Sequence, residues 1–376
     1  MEVFIGFENN PLHFSCPAQV ISCRDPARLP GCFSEIEQAL ARGMYAAGFV
    51  SYEAGYCFEE CLRQDKEYDF PLLMMGLYER PAARARQPQK PGRFWVDDFC
   101  LNSDFGQYAS HIKAIRGHIA RGDVYQITYC VKFHFDFQGD PLALYDELFA
   151  GQPVPYPAYI RTKEFDIVSL SPERFVKKHG MRLVTEPMKG TWRRGRNPVS
   201  DKYARIRFAH DRKNRAENLM ITDLLRNDLG RIGDTVRVPK LFTVTGYNTL
   251  FQMTSTVTAE VRGDILLYEL FAALFPSGSV TGAPKIRAMQ IIKELEQEER
   301  KIYTGAIGYI APDRSLYFNV PIRTLLIQGG KAEMGVGGGI VWDSTAKGEW
   351  NEGLLKASFL TRLGRGRSPR YHTSEF

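Results

Sequence analysis

The chain has 376 residues, 44% of them hydrophobic and 24% charged, with a formal net charge of +6. It contains no apolar run of 18 residues that would span a membrane, no basic face with interleaved aromatics that would bind nucleic acid, and no secretion signal at its start. The expectation is a water-soluble cytoplasmic protein with enough chain for a large core.

Residues 1–80 read as a strand-rich region that includes "MYAAGFVSYEAGYCF" and "PLLMMGLYER". Six of the seven cysteines fall in the first 100 residues, and none forms C-x-x-C, so they read as reduced thiols, mostly buried, and not as a zinc site. A Pro/Arg/Gln-rich stretch over 81–95 reads as a linker or exposed loop. "SDFGQYASHIKAIRGHIARG" then predicts a capped helix, followed by a Gly-Asp turn and an alternating strand from Gln126 to Phe137. "ALYDELFAGQ" predicts a short helix, and "FDIVSLSPERFVKKHGMRLVTEPMKG" consecutive strands and turns. "DRKNRAENLMITDLLRNDLGRIG" is a helix, "NTLFQMTSTVTAEVR" a strand, and "DILLYELFAALF" and "GAPKIRAMQIIKELEQEE" helices. A strand meander with "PDRS" and "QGGK" turns precedes a last helix ending near residue 363, and residues 364–376 read as a basic, flexible tail. Strands come in runs and helices in runs. That predicts an α+β fold of antiparallel sheets covered by helices, with residues 96–363 as the functional region.

Several stretches carry unusual side chains. Lys189 stands between Pro187 and Gly190-Thr191. Alone it reads either as a solvated turn or as a positioned amine, usable as nucleophile or base once its pKa falls. Glu217 lies three residues before Met220 and seven before Leu224, on a helix face formed with Leu219 and Leu225, so its carboxylate points toward the buried side. Glu349 and Glu352 repeat the oddity on the last helix, with Lys356 four residues beyond Glu352. Acidic residues from two helices suit Mg²⁺, which takes one or two carboxylates plus waters and substrate oxygens. "PSGSVTGAPKIRAM" reads as a loop that exposes backbone N–H groups at a helix N-terminus, an anion site. Arg323 in "NVPIRTL" reads as an inward arginine at a strand position, suited to a carboxylate. Three consecutive glycines, Gly337 to Gly339, interrupt a strand and suggest a group approaching the backbone closely. With Glu173 of "SPERF", these describe a pocket for a small polyanion.

The wording and order of "SPERF", "EPMKGT", "AENLMITDLLRNDLGRI", "PSGSVTGAPKIRAM", "GAIGY", "IRT", "GGGIVWDS" and "EWNEGLLK" resemble the chorismate-utilising enzymes. The resemblance implies a sandwich of two antiparallel sheets with helices outside. It further implies Mg²⁺ held by Glu217 and Glu352 with Glu349 behind them, and Glu173 as acid/base. Substrate contacts would come from Gln126, Thr191, Thr281, Gly282, Tyr309, Arg323, Gly337, Gly338 and Lys356. Water-adding members carry lysine where Gln126 stands, whereas ammonia-using members carry glutamine. Members that make anthranilate typically have alanine where Lys189 stands, and members that aminate C4 of chorismate have lysine. The resemblance therefore implies 4-amino-4-deoxychorismate formation through a covalent Lys189 intermediate, with ammonia from a glutamine amidotransferase. An anthranilate-forming member, another chorismate-aminating member and a catalytically dead chorismate binder are the alternatives. Glu186, Met188, Gln252 and Thr128 depart from common family residues.

Overall fold

The computed structural model describes residues 1–82, 92–246 and 250–363. The tail expected over 364–376 lies outside them, as does most of the loop expected over 81–95. The chain begins with β1 (Glu2–Ile5), β2 (Leu12–Phe14), β3 (Gln19–Cys23), α1 (Leu29–Ala41), β4 (Tyr45–Val50), α2 (Ala54–Cys57) and β5 (Leu73–Tyr78). It continues with β6 (Phe94–Leu101), α3 (Phe105–Ala120), β7 (Gln126–Gly139), α4 (Pro141–Gly151), β8 (Tyr156–Arg161), β9 (Asp166–Ser171), β10 (Arg174–His179), β11 (Arg182–Glu186) and β12 (Met188–Arg193). Next come α5 (Pro198–Ala209), α6 (Arg212–Gly230), β13 (Gly233–Gly246), β14 (Leu250–Val261), α7 (Leu267–Leu274) and the two-residue β15 (Gly282–Ala283). The last elements are α8 (Lys285–Leu295), β16 (Ala306–Ile310), β17 (Leu316–Asn319), β18 (Thr324–Gln328), β19 (Lys331–Ile340) and α9 (Ala346–Thr361).

Among the described residues the strands form two antiparallel sheets, as the separate runs of strands and helices predict. The first has nine strands in the order β15-β7-β19-β18-β9-β8-β1-β2, with β6 also on β7. The second has ten, in the order β12-β14-β11-β10-β17-β16-β4-β5-β3, with β13 also on β14. A core of Val3, Ile5, Phe14, Phe49, Ala158, Ile307 and Leu326 draws on both sheets and lies between them. The outer face of the first sheet packs on α3, α4, α8 and α9, and that of the second on α1, α6 and α7. β7 shows the cause: Ile127, Tyr129, Val131, Phe133 and Phe135 join the helix-facing core, while Gln126, Thr128 and Lys132 alternate onto the other face.

Helix starts follow their capping residues. Asp104 accepts from the Gln107 N–H, Asp211 from Asn214 and Thr345 from Gly348. The strand-rich region 1–80 supplies strands to both sheets: β1 pairs with β8, and β4 with β16. The seven cysteines are free thiols, of which Cys23, Cys32 and Cys130 are buried and Cys16 and Cys61 exposed. Fewer are buried than their composition suggests.

Candidate active site

Lys189 lies in a strand, not in a turn. β12 pairs with β14 at Met188↔Thr254 and next at Thr191↔Gln252, so Lys189 and Gly190 together oppose Met253 alone. This is a β-bulge, which bends the strand and re-aims a side chain. Gly190 takes φ +89°, and a Cβ there would sit 2.6 Å from Asn214 Oδ1 on α6. The first turn of α6 therefore presses on the bulge. Glu217 stands three residues after Asn214 on the same helix face. The face differs in part from the expected one: Leu219 is 50% exposed, and Asn218, Ile221, Leu225 and Leu229 face inward.

Gln126 opens β7 and is completely buried, yet neither amide atom has a hydrogen-bond partner among the described residues. A Cβ on Gly339 would lie 2.7 Å from Gln126 Nε2 and 3.0 Å from Lys189 Nζ. A Cβ on Gly338 would lie 3.2 Å from Glu349 Oε2, 3.6 Å from Lys356 Nζ and 3.8 Å from Glu352 Oε1. Alternation along β19 thus lets Gly339 face the lysine and the amide, and Gly338 face the acidic helix. Both glycines answer the expectation of close approach. Lys356 Nζ donates to the Gly337 carbonyl at 2.8 Å and pairs with Glu352 at 2.8 Å.

Glu173 is buried and accepts from Ser279 Oγ. Burial pushes its carboxyl up to about 7, against the opposing pull of that hydrogen bond and of the Lys189 charge. Burial lowers the pKa of Lys189, with the Lys356 ammonium adding to the effect and Glu217, Glu173 and Glu352 opposing it. Burial also raises Glu217, against Lys189 and Lys213 and with help from Glu349 and Glu352. Glu349 is raised by burial, although Ser344 Oγ donates to it at 2.7 Å. At Glu352 burial works upward, but Lys356 prevails and holds the carboxyl below its ordinary value.

The "PSGSVTGAPK" segment is not an exposed loop. Gly282 and Ala283 pair with Ile127 and Gln126, and Thr128 N–H donates to the Thr281 carbonyl at 2.7 Å. Buried Arg300 fastens it from beneath, donating to the carbonyls of Val280 at 2.8 Å and Thr128 at 2.7 Å. Pro284 caps α8 without a side-chain hydrogen bond. Ser279 belongs to the quoted motif yet escapes sequence reasoning, because a serine among small residues carries no signal until Glu173 is seen against it. Arg300 and Asn214 are missed for the same reason.

Two further expectations need correction. Arg323 is not in a strand: it precedes β18 with φ +53°, its carbonyl accepting from Leu170 N–H at 3.1 Å. Tyr309 faces the core between the sheets, its ring 6.1 Å from that of Phe14, and pairs with Ala47 and Tyr317. None of these neighbours belongs to the cluster around Lys189. Thr191 keeps its backbone place opposite Gln252.

The acidic residues fit a hard divalent cation. Glu349 Oε2 and Glu352 Oε1 converge over Gly338, and Glu217 responds to both. Three carboxylates from two helices leave the remaining positions of a six-coordinate ion to waters and substrate oxygens, as Mg²⁺ prefers. The tightest group of metal-type ligands among the described residues is elsewhere, at His134, Glu298 and Glu333. Lys132 and Lys301 already neutralise Glu333 at 2.6 and 2.8 Å, so that group is an ion-pair network.

A bulged lysine, a buried carboxylic acid, an orphaned amide and an acidic pair thus cluster about Gly338 and Gly339 of β19. The chain belongs to the chorismate binding enzymes, whose family model matches residues 6–362. It is 34% identical over 344 residues to aminodeoxychorismate synthase component 1 of Escherichia coli strain K12, covering 84% of this chain and 76% of that protein. It is 38% identical over 285 residues to anthranilate synthase component 1 of Geobacillus stearothermophilus, covering 74% and 56%. The crystal structure of anthranilate synthase component I from Streptococcus pneumoniae TIGR4 is similar with a TM-score of 0.76 at 25% identity, covering 96% of this chain and 90% of that one. Relatives of both activities lie at similar identity, so the choice between them falls to individual residues.

Proposed function

We propose that this chain aminates chorismate at C4 with ammonia, giving 4-amino-4-deoxychorismate, and that Lys189 is its nucleophile. The observation that carries the reading is the convergence of Lys189 Nζ and Gln126 Nε2 on Gly339, with Glu173 within electrostatic reach. The similarity to aminodeoxychorismate synthase component 1 supports it.

Burial favours neutral Lys189 and protonated Glu173, the forms the reaction uses. Lys189 Nζ attacks C2 of the ring. Both ring double bonds shift, and the C4 oxygen leaves as water with the proton of Glu173. Ammonia then attacks C4, the double bonds return, and Lys189 leaves as the amine. The ammonium formed at C4 gives its proton to Glu173. Chorismate and ammonia become the amino product and water. Gln126, with its amide unpartnered, would orient the entering ammonia. Gln252 stands in the ladder opposite Thr191, two residues beyond Lys189, and a neutral glutamine would supply no acid for loss of the enolpyruvyl group. Lys356 and Arg323 would hold carboxylates, Arg323 from its turn before β18.

Mg²⁺ would be held by Glu217 and Glu352, with Glu349 behind. Bound there, it would anchor a substrate carboxylate and stabilise developing negative charge. Ammonia would come from a separate glutamine amidotransferase. Incubation with chorismate, Mg²⁺ and ammonium salt should yield 4-amino-4-deoxychorismate that keeps its enolpyruvyl ether. Mainly anthranilate would refute the C4 assignment, and full turnover in excess EDTA would refute the metal.

A further inference from the structure

α5 buries a single residue, Phe208, and sequence patterning does not reveal the helix. Residues 193–215 contain nine Lys or Arg against two Asp, a local charge of +7 that exceeds the +6 of the entire chain. Arg193, Arg196, Lys202, Arg205, Arg207, Arg212 and Lys213 are all exposed. α5 holds to the body through one fully buried side chain, Phe208, in a small cluster with Val244, Phe251 and Met253. Its outer face carries Val199, Tyr203 and Ile206 at helical spacing, 80%, 62% and 50% exposed. A stripe of apolar residues ringed by cations marks an interaction surface. Beneath the first turn lies an open cleft of about 740 Å³, lined by Arg194, Arg196, Lys202, Arg205, Asp201 and Phe251. Arg194 is held in place by Asp201 at 2.6 and 2.7 Å and stacks over the Phe251 ring.

The position of this face selects its occupant. β12 carries Lys189 and runs through a four-residue connection directly into α5, and α6, which follows, carries Glu217. A protein seated on α5 therefore sits on the segment that links the strand carrying Lys189 to the helix carrying Glu217. We propose that α5 and its basic cleft are the docking surface for the ammonia-supplying glutamine amidotransferase, and that this partner presents an acidic rim around an apolar centre. The proposal rests on the functional reading above. The charge gives rate and register, and the apolar stripe gives affinity. Nucleic acid would leave Val199 and Ile206 without a partner, so it fits the face less well.

The test measures complex formation and turnover with the purified glutamine amidotransferase of the same organism. Two variants are compared with the unaltered chain: Arg196→Glu/Lys202→Glu/Arg205→Glu, and Val199→Asp/Ile206→Asp. These side chains are exposed and none belongs to the cluster around Lys189, so ammonium-driven turnover should stay within about twofold, which also reports folding. Affinity for the amidotransferase and glutamine-driven turnover should fall at least about tenfold in both, and wild-type binding should weaken with salt. Unchanged glutamine-driven turnover in both variants overturns the docking site while ammonium-driven amination stands. Loss of self-association, of binding to a DNA oligonucleotide or of binding to phosphatidylglycerol vesicles, with the amidotransferase complex intact, overturns it equally. No amination with ammonium by the wild type sinks the functional reading and this proposal with it.

Discussion

Burial acts on Lys189 and Glu173 in opposite senses, since it disfavours whichever form is charged. Glu173 is competent as an acid below about 7 and loses its proton above it. The neutral fraction of Lys189 grows as pH rises, and its lowered pKa brings that growth toward neutrality. Turnover with ammonium should therefore be bell-shaped, the alkaline limb belonging to Glu173 and the acid limb to Lys189. Glu173→Gln should cost roughly 10²–10⁴-fold in kcat. A flat profile across the neutral range would remove both roles. The same shift has a stability consequence. A carboxyl raised in the folded state contributes fully below its unfolded pKa, and the contribution is lost as pH rises through about 7. Glu173→Gln should thus be more stable than wild type at alkaline pH, by up to about 3 kcal/mol in denaturant unfolding, while working worse. Lys189→Ala should lose most C4 amination yet still bind chorismate, and trapping with peptide mass spectrometry should find any adduct on Lys189 alone. Near-normal amination by that variant would return Lys189 to the status of an ordinary charged residue.

Between elements, two contacts place the reacting groups. The bulge in β12 leans on α6 through Gly190 and Asn214. Gly190→Ala would add both the strain of φ +89° and a clash at 2.6 Å. A loss of about 1–3 kcal/mol is expected, with lowered turnover, readable by denaturant midpoint and assay. The second contact joins α6 to α8. Asp228 and Lys285 pair at 2.6 Å, both side chains nearly buried, and Lys285 also donates to the Leu274 carbonyl at 3.1 Å. Asp228→Ala would leave a buried ammonium without its counter-charge, at a cost of about 3–5 kcal/mol. Replacing both partners with apolar residues should recover much of that. A single variant as stable as wild type would mean that the pair is solvated.

At the scale of the whole chain, the first 80 residues are not an appendage. β4 lies between β16 and β5, and β1 between β8 and β2, so removing them opens both sheets and strips the core between them. A fragment of residues 96–363 should show no cooperative thermal transition and bind no chorismate, and a folded, active fragment would contradict the topology. The pocket draws on β7, β12 and β19 and on α6 and α9, elements that span more than 200 residues of sequence, so local fraying anywhere in that set should reduce turnover before it reduces helix content.

Much was legible in the sequence itself. Hydrophobic periodicity and capping residues mark α3, α6, β7 and β14 because those signals are local. The acidic residues on two helices and the glycine run in β19 stand out because charge and glycine are costly where they sit unless something needs them. The sequence was silent on β13 and α5, where apolar spacing is weak and shape comes from tertiary partners. It pointed to a turn at Lys189, since a bulge depends on which residues oppose which across a ladder. It likewise placed Arg323 in a strand and Tyr309 by the substrate, because the side a residue faces is set by register and not by its neighbours in the chain. That Lys189, Gln126, Glu173 and Glu217 come near one another was decided only when strands and helices far apart in the chain packed together, a non-local event that no window of sequence contains.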